Sequence, residues 1–98
     1  MTGSTSERVV VAKRVDSGDA DTGEIRELAR AAGYEVAAEL TQTRKEDPGL
    51  QFGEGKAAEL DRLVRREGAR TVVFDNELGP YQRYNLGQQL PDCDEVID

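Results

Sequence analysis

The chain contains no histidine and no tryptophan, and it has a single cysteine among its 98 residues. Without histidine, without a serine in a nucleophile elbow and without a recognisable cluster of metal ligands, the common catalytic arrangements are excluded. Cys93 has no second cysteine to pair with, so an internal disulfide is impossible, which is typical of a reducing cytosol. We therefore predict a cytoplasmic protein with no catalytic residue, no metal site and no cofactor of its own in these 98 residues.

Long apolar runs are also lacking. No stretch is long enough to cross a bilayer, and the first six residues have neither the basic nor the apolar region of a signal peptide. The length fits one small domain. We assign residues 1–8 to a disordered tail and residues 9–98 to the domain.

Lysine is scarce, whereas acidic residues are abundant. Twenty acids outnumber thirteen bases, which gives a net charge of −7. Non-specific nucleic-acid binding depends on basic patches, so a general nucleic-acid binder is disfavoured. An acidic, lysine-poor surface is also typical of a protein that works in very high salt, where the Debye length is only about 3 Å at 1 M. We favour this salt-adapted interpretation, under which the net charge does not exclude an RNA partner.

The apolar residues form strand-like runs that alternate with helical stripes. The predicted strands cover residues 9–13, 34–41, 71–74 and 95–97, and the predicted helices cover residues 22–32, 56–67 and 80–90. This order predicts an α/β domain with three layers, βαβαβαβ, around a four-stranded parallel sheet of order 2-1-3-4. Ligands of such sheets bind beyond the carboxyl ends of the strands.

The first predicted helix has a clear apolar stripe of Ile25, Leu28, Ala29 and Ala32. Asp21 is its predicted N-cap, and Glu24, three residues on, completes a predicted capping box.

A long polar loop precedes the second helix. It contains Arg44 and Lys45 and leads into Gly53-Glu54-Gly55-Lys56. Lys56 lies at the start of the predicted helix, where the free N–H groups and the helix dipole favour an anion. Leu50 and Ala57 break the Walker A pattern, so we reject a P-loop. A glycine-rich turn that only admits the helix is the alternative interpretation.

Two motifs, read together, resemble the N-terminal domain of the HflX family. The first reads Gln42-x-Arg44, then Pro48, then Phe52-Gly53-x-Gly55-Lys56-x-x-Glu59-Leu60. The second reads Phe74-x-Asn76-Glu77-Leu78-x-Pro80-x-Gln82-x-x-Asn85-Leu86. Tyr84 and Gly87 depart from the family pattern, which usually has an arginine and an acid there.

The resemblance implies a domain cut from a longer cytosolic GTPase that binds the large ribosomal subunit. The last strand ends at Asp98 with no helix after it, which fits such a cut. The domain would contact ribosomal RNA and support its own downstream GTPase domain, where GTP and magnesium are expected. No GTPase motif occurs in these 98 residues, so this fragment is expected not to hydrolyse GTP.

On this interpretation the first loop contacts RNA phosphates, and a second group of residues supports it. The predicted RNA- or phosphate-binding residues are Gln42, Arg44, Lys45, Phe52, Gly53, Gly55 and Lys56. The predicted supporting residues are Asn76, Glu77, Gln82 and Asn85. Phe52 either stacks on a base or anchors the loop in the core, and the amides either bind RNA or brace the loops. The alternative functions are a stand-alone nucleotide-binding module and a purely structural domain that orients a GTPase domain.

Overall fold

The structure, a computed structural model, describes residues 7–98. The strands are β1 (Arg8–Val15), β2 (Glu35–Thr43), β3 (Thr71–Phe74) and β4 (Glu95–Ile97), and the helices are α1 (Gly23–Ala31), α2 (Glu54–Glu67) and α3 (Pro80–Gln89). The four strands form one parallel sheet in the order β2-β1-β3-β4. The predicted α/β class and strand order are confirmed.

The β-branched run in β1 explains the layers. Val9 and Val11 pack with Ile25 and Ala29 of α1 in one core cluster, whereas Val10 belongs to the larger cluster under α2 and α3. All three valines are fully buried, because the sheet is covered on both faces. β1 also runs beyond the predicted apolar segment, since its last residues still pair with β2.

The assigned tail overlaps the sheet by one residue. Arg8 is the first residue of β1, and Nη1 of its guanidinium lies 3.0 Å from Oε2 of Glu35 at the start of β2. β1 therefore begins at Arg8, and the assigned tail up to residue 6 lies outside the described residues.

The predicted apolar stripe of α1 is only partly correct. Ile25 and Ala29 are buried, but Leu28 is 59% exposed and Ala32 lies beyond the helix on the surface. A helix turns about 100° per residue, so Leu28 lies about 80° from the midpoint between Ile25 and Ala29. The contact of α1 with the sheet is narrow, and Leu28 faces a groove at the carboxyl edge.

The predicted cap of α1 is wrong. The N-cap residue is Thr22, which makes no side-chain capping hydrogen bond and instead donates from Oγ1 to Oε2 of Glu39, 2.9 Å away. Asp21 accepts a hydrogen bond from the backbone N–H of Gly23 at 2.8 Å. The Oγ1 of Thr22 accepts from Nε of Arg26 at 3.2 Å, so it is bonded to a side chain where a capping box would use a backbone N–H.

Among residues 7–98, no helix has the length and apolar character needed to cross a bilayer.

Candidate functional site

The connecting loop, which we define as residues 44–53, runs from the carboxyl end of β2 to the start of α2. Side chains of α3 hold its first half. Gln82 donates from Nε2 to Oε2 of Glu46 at 2.7 Å and to the carbonyl oxygen of Asp47 at 2.9 Å. Asn85 donates to the carbonyl oxygen of Gly49 at 2.9 Å. Backbone groups that no regular element satisfies are thus paired with side-chain amides.

The loop also folds on itself around Asp47. The carboxylate of Asp47 accepts hydrogen bonds from the N–H groups of Gly49 and Leu50, both at 2.8 Å. Asp47 and Gln51 exchange backbone hydrogen bonds of 3.1 and 2.9 Å. Gln51 has a φ of 67°, which is unfavourable for a residue with a side chain. The hydrogen bonds around Gln51 hold it in this conformation.

A buried arginine ties the loop to the sheet. The side chain of Arg14, at the end of β1, is 9% exposed. Its Nε donates to Oε1 of Gln51 at 2.5 Å, and its Nη1 donates to the carbonyl oxygen of Arg44 at 2.8 Å. Asp16 supplies the compensating charge from the surface. Sequence reasoning did not identify Arg14 as a site residue. The one feature that could have identified it is that an arginine follows a strand predicted to be buried on both faces.

Beyond the end of β3, the side chain of Asn76 takes the place of a neighbouring strand and bonds the backbone of β1. Its Oδ1 accepts from the backbone N–H of Arg14 at 2.7 Å, and its Nδ2 donates to the carbonyl oxygen of Arg14 at 2.9 Å. Gln42 acts in a similar way, accepting from the N–H of Gly53 at 2.8 Å. Together with Gln82 and Asn85, these amides brace the loops in this structure. Glu77 is exposed, and only its backbone oxygen reaches the network, 3.4 Å from Nε2 of Gln51.

Phe52 belongs to the core and is fully buried. The centroid of its ring lies 5.0 Å from that of Phe74, at an interplanar angle of 53°. Of the two predicted roles, the structure shows the anchor. In this conformation no face of the ring is accessible for stacking on a base.

The two glycines have different environments. A Cβ on Gly53 would lie 2.4 Å from Nη1 of Arg44 and 3.4 Å from Nε2 of Gln42. The close approach predicted at Gly53 is therefore made by the chain's own Arg44, and the N–H of Gly53 is taken by Gln42. Gly55 is exposed, and a Cβ there would meet none of the described atoms within 4 Å. Only Gly55 leaves its surroundings open to a partner.

The charges of the loop stand out against the rest of the chain. Within residues 7–98, every lysine and arginine forms a salt bridge except Arg44, Lys45 and Arg62. Lys56, predicted to meet a phosphate, lies 3.0 Å from Oε1 of Glu59 and is 25% exposed. Two adjacent cations of the loop thus lack a carboxylate partner in a chain of net charge −7.

Shifted ionisations lie away from the connecting loop. The backbone N–H of Leu78, and then the guanidinium of Arg83, hold the pKa of the Asp98 carboxyl below its usual value. Burial raises the pKa of the Cys93 thiol, which disfavours the thiolate. Neither shift creates a catalytic acid or base.

The start of α2 is poorly suited to a free nucleotide. Its first turn contains Glu54, whose negative charge opposes a phosphate at the helix N-terminus. The N–H of Gly53 is already bonded, and Lys56 is paired. No group of three or more possible metal ligands occurs in the part of the chain that the structure describes.

Comparisons with known proteins agree on one family. A family model described as GTP-binding GTPase N-terminal matches residues 19–98. GTPase HflX of Thermofilum pendens is 48% identical over 92 residues, which is 92% of this chain and 21% of the relative. GTPase HflX of Thermococcus kodakarensis is 46% identical over 67 residues, 68% of this chain and 15% of the relative. GTPase HflX of Escherichia coli is 40% identical over 79 residues, 80% of this chain and 18% of the relative. The chain spans about a fifth of the length of the curated relatives it matches.

The two hydrogen bonds between the side chain of Asn76 and the backbone of Arg14 predict a specific loss of stability. Asn76→Asp keeps the acceptor for the N–H of Arg14 but places a carboxylate oxygen against the carbonyl oxygen of Arg14. We expect the free energy of unfolding, measured by urea titration, to fall by about 1–3 kcal/mol. Gln88→Glu, the same chemical change on the exposed side of α3, is the control and is expected to stay within about 0.5 kcal/mol. Equal free energies of unfolding for the two variants would show that these hydrogen bonds do not stabilise the fold.

The contact between Gly53 and Arg44 predicts coupling between the two positions. Gly53→Ala places a Cβ against the guanidinium of Arg44, so we expect it to lower the free energy of unfolding by about 1 kcal/mol or more. The same substitution in an Arg44→Ala background is expected to cost at least about 0.5 kcal/mol less.

Gly55→Ala is the matched control for this cycle. It meets no neighbour, and we expect it to stabilise α2 by about 0.5–1 kcal/mol. Urea unfolding of the unaltered chain, the two single variants, the double variant and the control measures these free energies. An identical loss from Gly53→Ala in both backgrounds would show that Arg44 does not fill this space.

Proposed function

The chain belongs to the HflX family, whose N-terminal domain it matches, and we propose that it is the ribosome- and RNA-contacting domain of an HflX-type GTPase. In this proposal the domain acts in the cytoplasm, binds the large ribosomal subunit and supports its own GTPase domain. GTP and magnesium are held by that GTPase domain, and the 98 residues do not hydrolyse GTP. The observation that carries the proposal is the pair of unpaired cations, Arg44 and Lys45, on a braced loop.

The bracing matters because a fixed loop loses little conformational freedom on binding. Arg44 leaves β2 with its backbone N–H bonded to Val15 and its carbonyl oxygen bonded to Arg14. The backbone that presents Arg44 is therefore fixed, and the guanidinium forms no salt bridge among residues 7–98. A phosphate oxygen is a suitable acceptor for such a group.

Lys56 and Gly55 support the same contact. A phosphate that binds Lys56 must compete with Glu59, so we expect Lys56 to contribute less to phosphate binding than Arg44 and Lys45 do. Gly55, one residue before it, has open space where a side chain would lie. An RNA backbone approaches α2 most closely at that position.

The net charge of −7 opposes long-range attraction to RNA. We propose that the acidic surface is an adaptation to high salt, which shortens the range of this repulsion while hydrogen bonds at contact distance persist. The contact is then local to the connecting loop and does not depend on the overall charge.

A purely structural role is the second candidate. The observation that favours it is that Gln42, Asn76, Gln82 and Asn85 all bond within the loops, so the loop is complete without a ligand. A stand-alone nucleotide-binding role is less well supported, since the start of α2 is occupied by Glu54 and by the bond between Gln42 and Gly53.

Removing the two unpaired loop cations tests the RNA contact. In the full-length GTPase, we expect Arg44→Ala with Lys45→Ala to weaken binding to purified large ribosomal subunits about tenfold, which is about 1.4 kcal/mol. Co-sedimentation at matched salt measures the affinity. Melting curves of the 98-residue chain check that the fold is retained, because Arg44 is half-buried beside Gly53 whereas Lys45 is exposed.

The control removes two positive charges from helix surfaces. Arg30→Ala with Arg62→Ala changes one cation on α1 and one on α2, and we expect it to alter the affinity less than about twofold. Equal losses from both pairs would indicate diffuse electrostatics. No loss from either pair would leave the domain a structural support.

A further inference from the structure

Within residues 7–98, three large apolar side chains are well exposed: Leu28 at 59%, Tyr81 at 70% and Tyr84 at 64%. Leu28 and Tyr81 line two grooves that both include residues of the segment joining β3 to α3. Glu77 of that segment lines both grooves, and we call the two grooves together the β3–α3 surface.

The first groove has an apolar floor and an acidic rim. Ile25, Leu28 and Phe74 contribute its apolar part, and Asp75, Glu77 and Asp98 lie around it, in a volume of about 520 Å³. The carboxylate of Asp75 is paired with Lys13 at 3.1 Å, and that of Asp98 is paired with Arg83. The side chain of Glu77 forms no salt bridge with any described residue.

The second groove lies between the connecting loop and the start of α3. Pro48, Pro80 and Tyr81 line it together with the carboxyl groups of Glu46 and Glu77, in a volume of about 530 Å³. Among the described residues, no lysine or arginine lines either groove. The charge that these grooves offer to a partner is therefore negative.

The outer side of α3 extends this surface without adding acids. In a chain that is 34% charged, α3 has Arg83 as its one charged residue. Tyr81 and Tyr84 lie one turn apart on its exposed side. Tyrosine enrichment and depletion of charge are features of protein–protein interface cores.

We propose that the β3–α3 surface docks a cationic amphipathic segment of polypeptide. An apolar side chain of the segment fills the groove beside Leu28, over Ile25 and Phe74. An arginine of the segment lies against the ring of Tyr81 and pairs with Glu77, which combines a cation–π contact with a charge-assisted hydrogen bond.

The charge of the surface selects this occupant over two others. RNA is repelled by Glu46 and Glu77, whereas Arg44 and Lys45 lie in the connecting loop. A second copy of the chain would bring the same carboxylates together, with a net charge of −7 on each copy. The docking is independent of the proposed RNA contact, because it uses none of Arg44, Lys45 or Lys56.

The test uses a labelled synthetic helical peptide of about four turns, with leucines along one side and arginines beside them. We expect it to bind the 98-residue chain in fluorescence anisotropy at low ionic strength. The same peptide with glutamates in place of the arginines, and a uridine oligonucleotide, are expected to bind at least about tenfold more weakly.

Variants then locate the site. We expect Glu77→Lys to weaken binding of the arginine peptide about tenfold, and Leu28→Ser about threefold or more. The control is Asp92→Lys, which makes the same change of charge. Asp92 lies between α3 and β4, at the opposite edge of the sheet from Glu77, and pairs with Arg65. Its affinity is expected to stay within about twofold of the unaltered chain.

Several results would overturn the proposal. They are no binding of the arginine peptide, an equal loss from Asp92→Lys and Glu77→Lys, and tighter binding of the oligonucleotide or the glutamate peptide. A dimer in sedimentation that Leu28→Ser abolishes would assign the surface to a second copy instead. Glu77→Gln, which removes only the charge, keeps the test valid if Glu77→Lys lowers the melting temperature.

Discussion

A buried guanidinium at the end of β1 organises the functional edge of this domain. Arg14 is bonded to the side chain of Gln51 and to the carbonyl oxygen of Arg44, so one side chain fixes the loop at two points. A buried cation is costly unless its donors are satisfied, and here neutral acceptors and the surface carboxylate of Asp16 satisfy them. The position of the Arg44 backbone follows from this arrangement.

The sheet order separates two kinds of surface. β2 lies at one edge of the sheet, and β3 and β4 lie toward the other. The loop that leaves β2 carries Arg44 and Lys45, whereas the segments that follow β3 and β4 carry Glu77 and Asp98. We propose that one small acidic domain offers an anion-binding loop and a cation-binding surface at the same carboxyl edge.

The fold was predictable from the sequence because its signals are local. Short β-branched runs, helical stripes and terminal glycines specify the elements, and right-handed crossovers restrict the strand order. Leu28 was assigned wrongly because periodicity gives the direction of a stripe but not the width of the contact that covers it. The exposed position of Leu28 depends on how narrowly α1 meets the sheet.

The site was less predictable because its contacts join distant parts of the chain. The bond between Arg14 and Gln51 spans 37 positions, and the bond from Gln82 to Asp47 spans 35. The burial of Phe52 inside a polar loop depends on Phe74, in a strand that follows α2. The two glycines look alike in sequence, but only the structure shows that Arg44 fills the space at Gly53 and that Gly55 stays open.

The central claim is that Arg44 and Lys45 contact phosphates of the large ribosomal subunit, and the salt dependence of binding tests it most directly. Each phosphate contact contributes about 0.7–0.9 to the slope of log affinity against log salt concentration. For the full-length GTPase titrated over a range of salt, the double alanine variant should show a slope shallower by about 1.5 than the unaltered protein. Two parallel lines would contradict the claim, because any loss of affinity would then be independent of phosphate neutralisation.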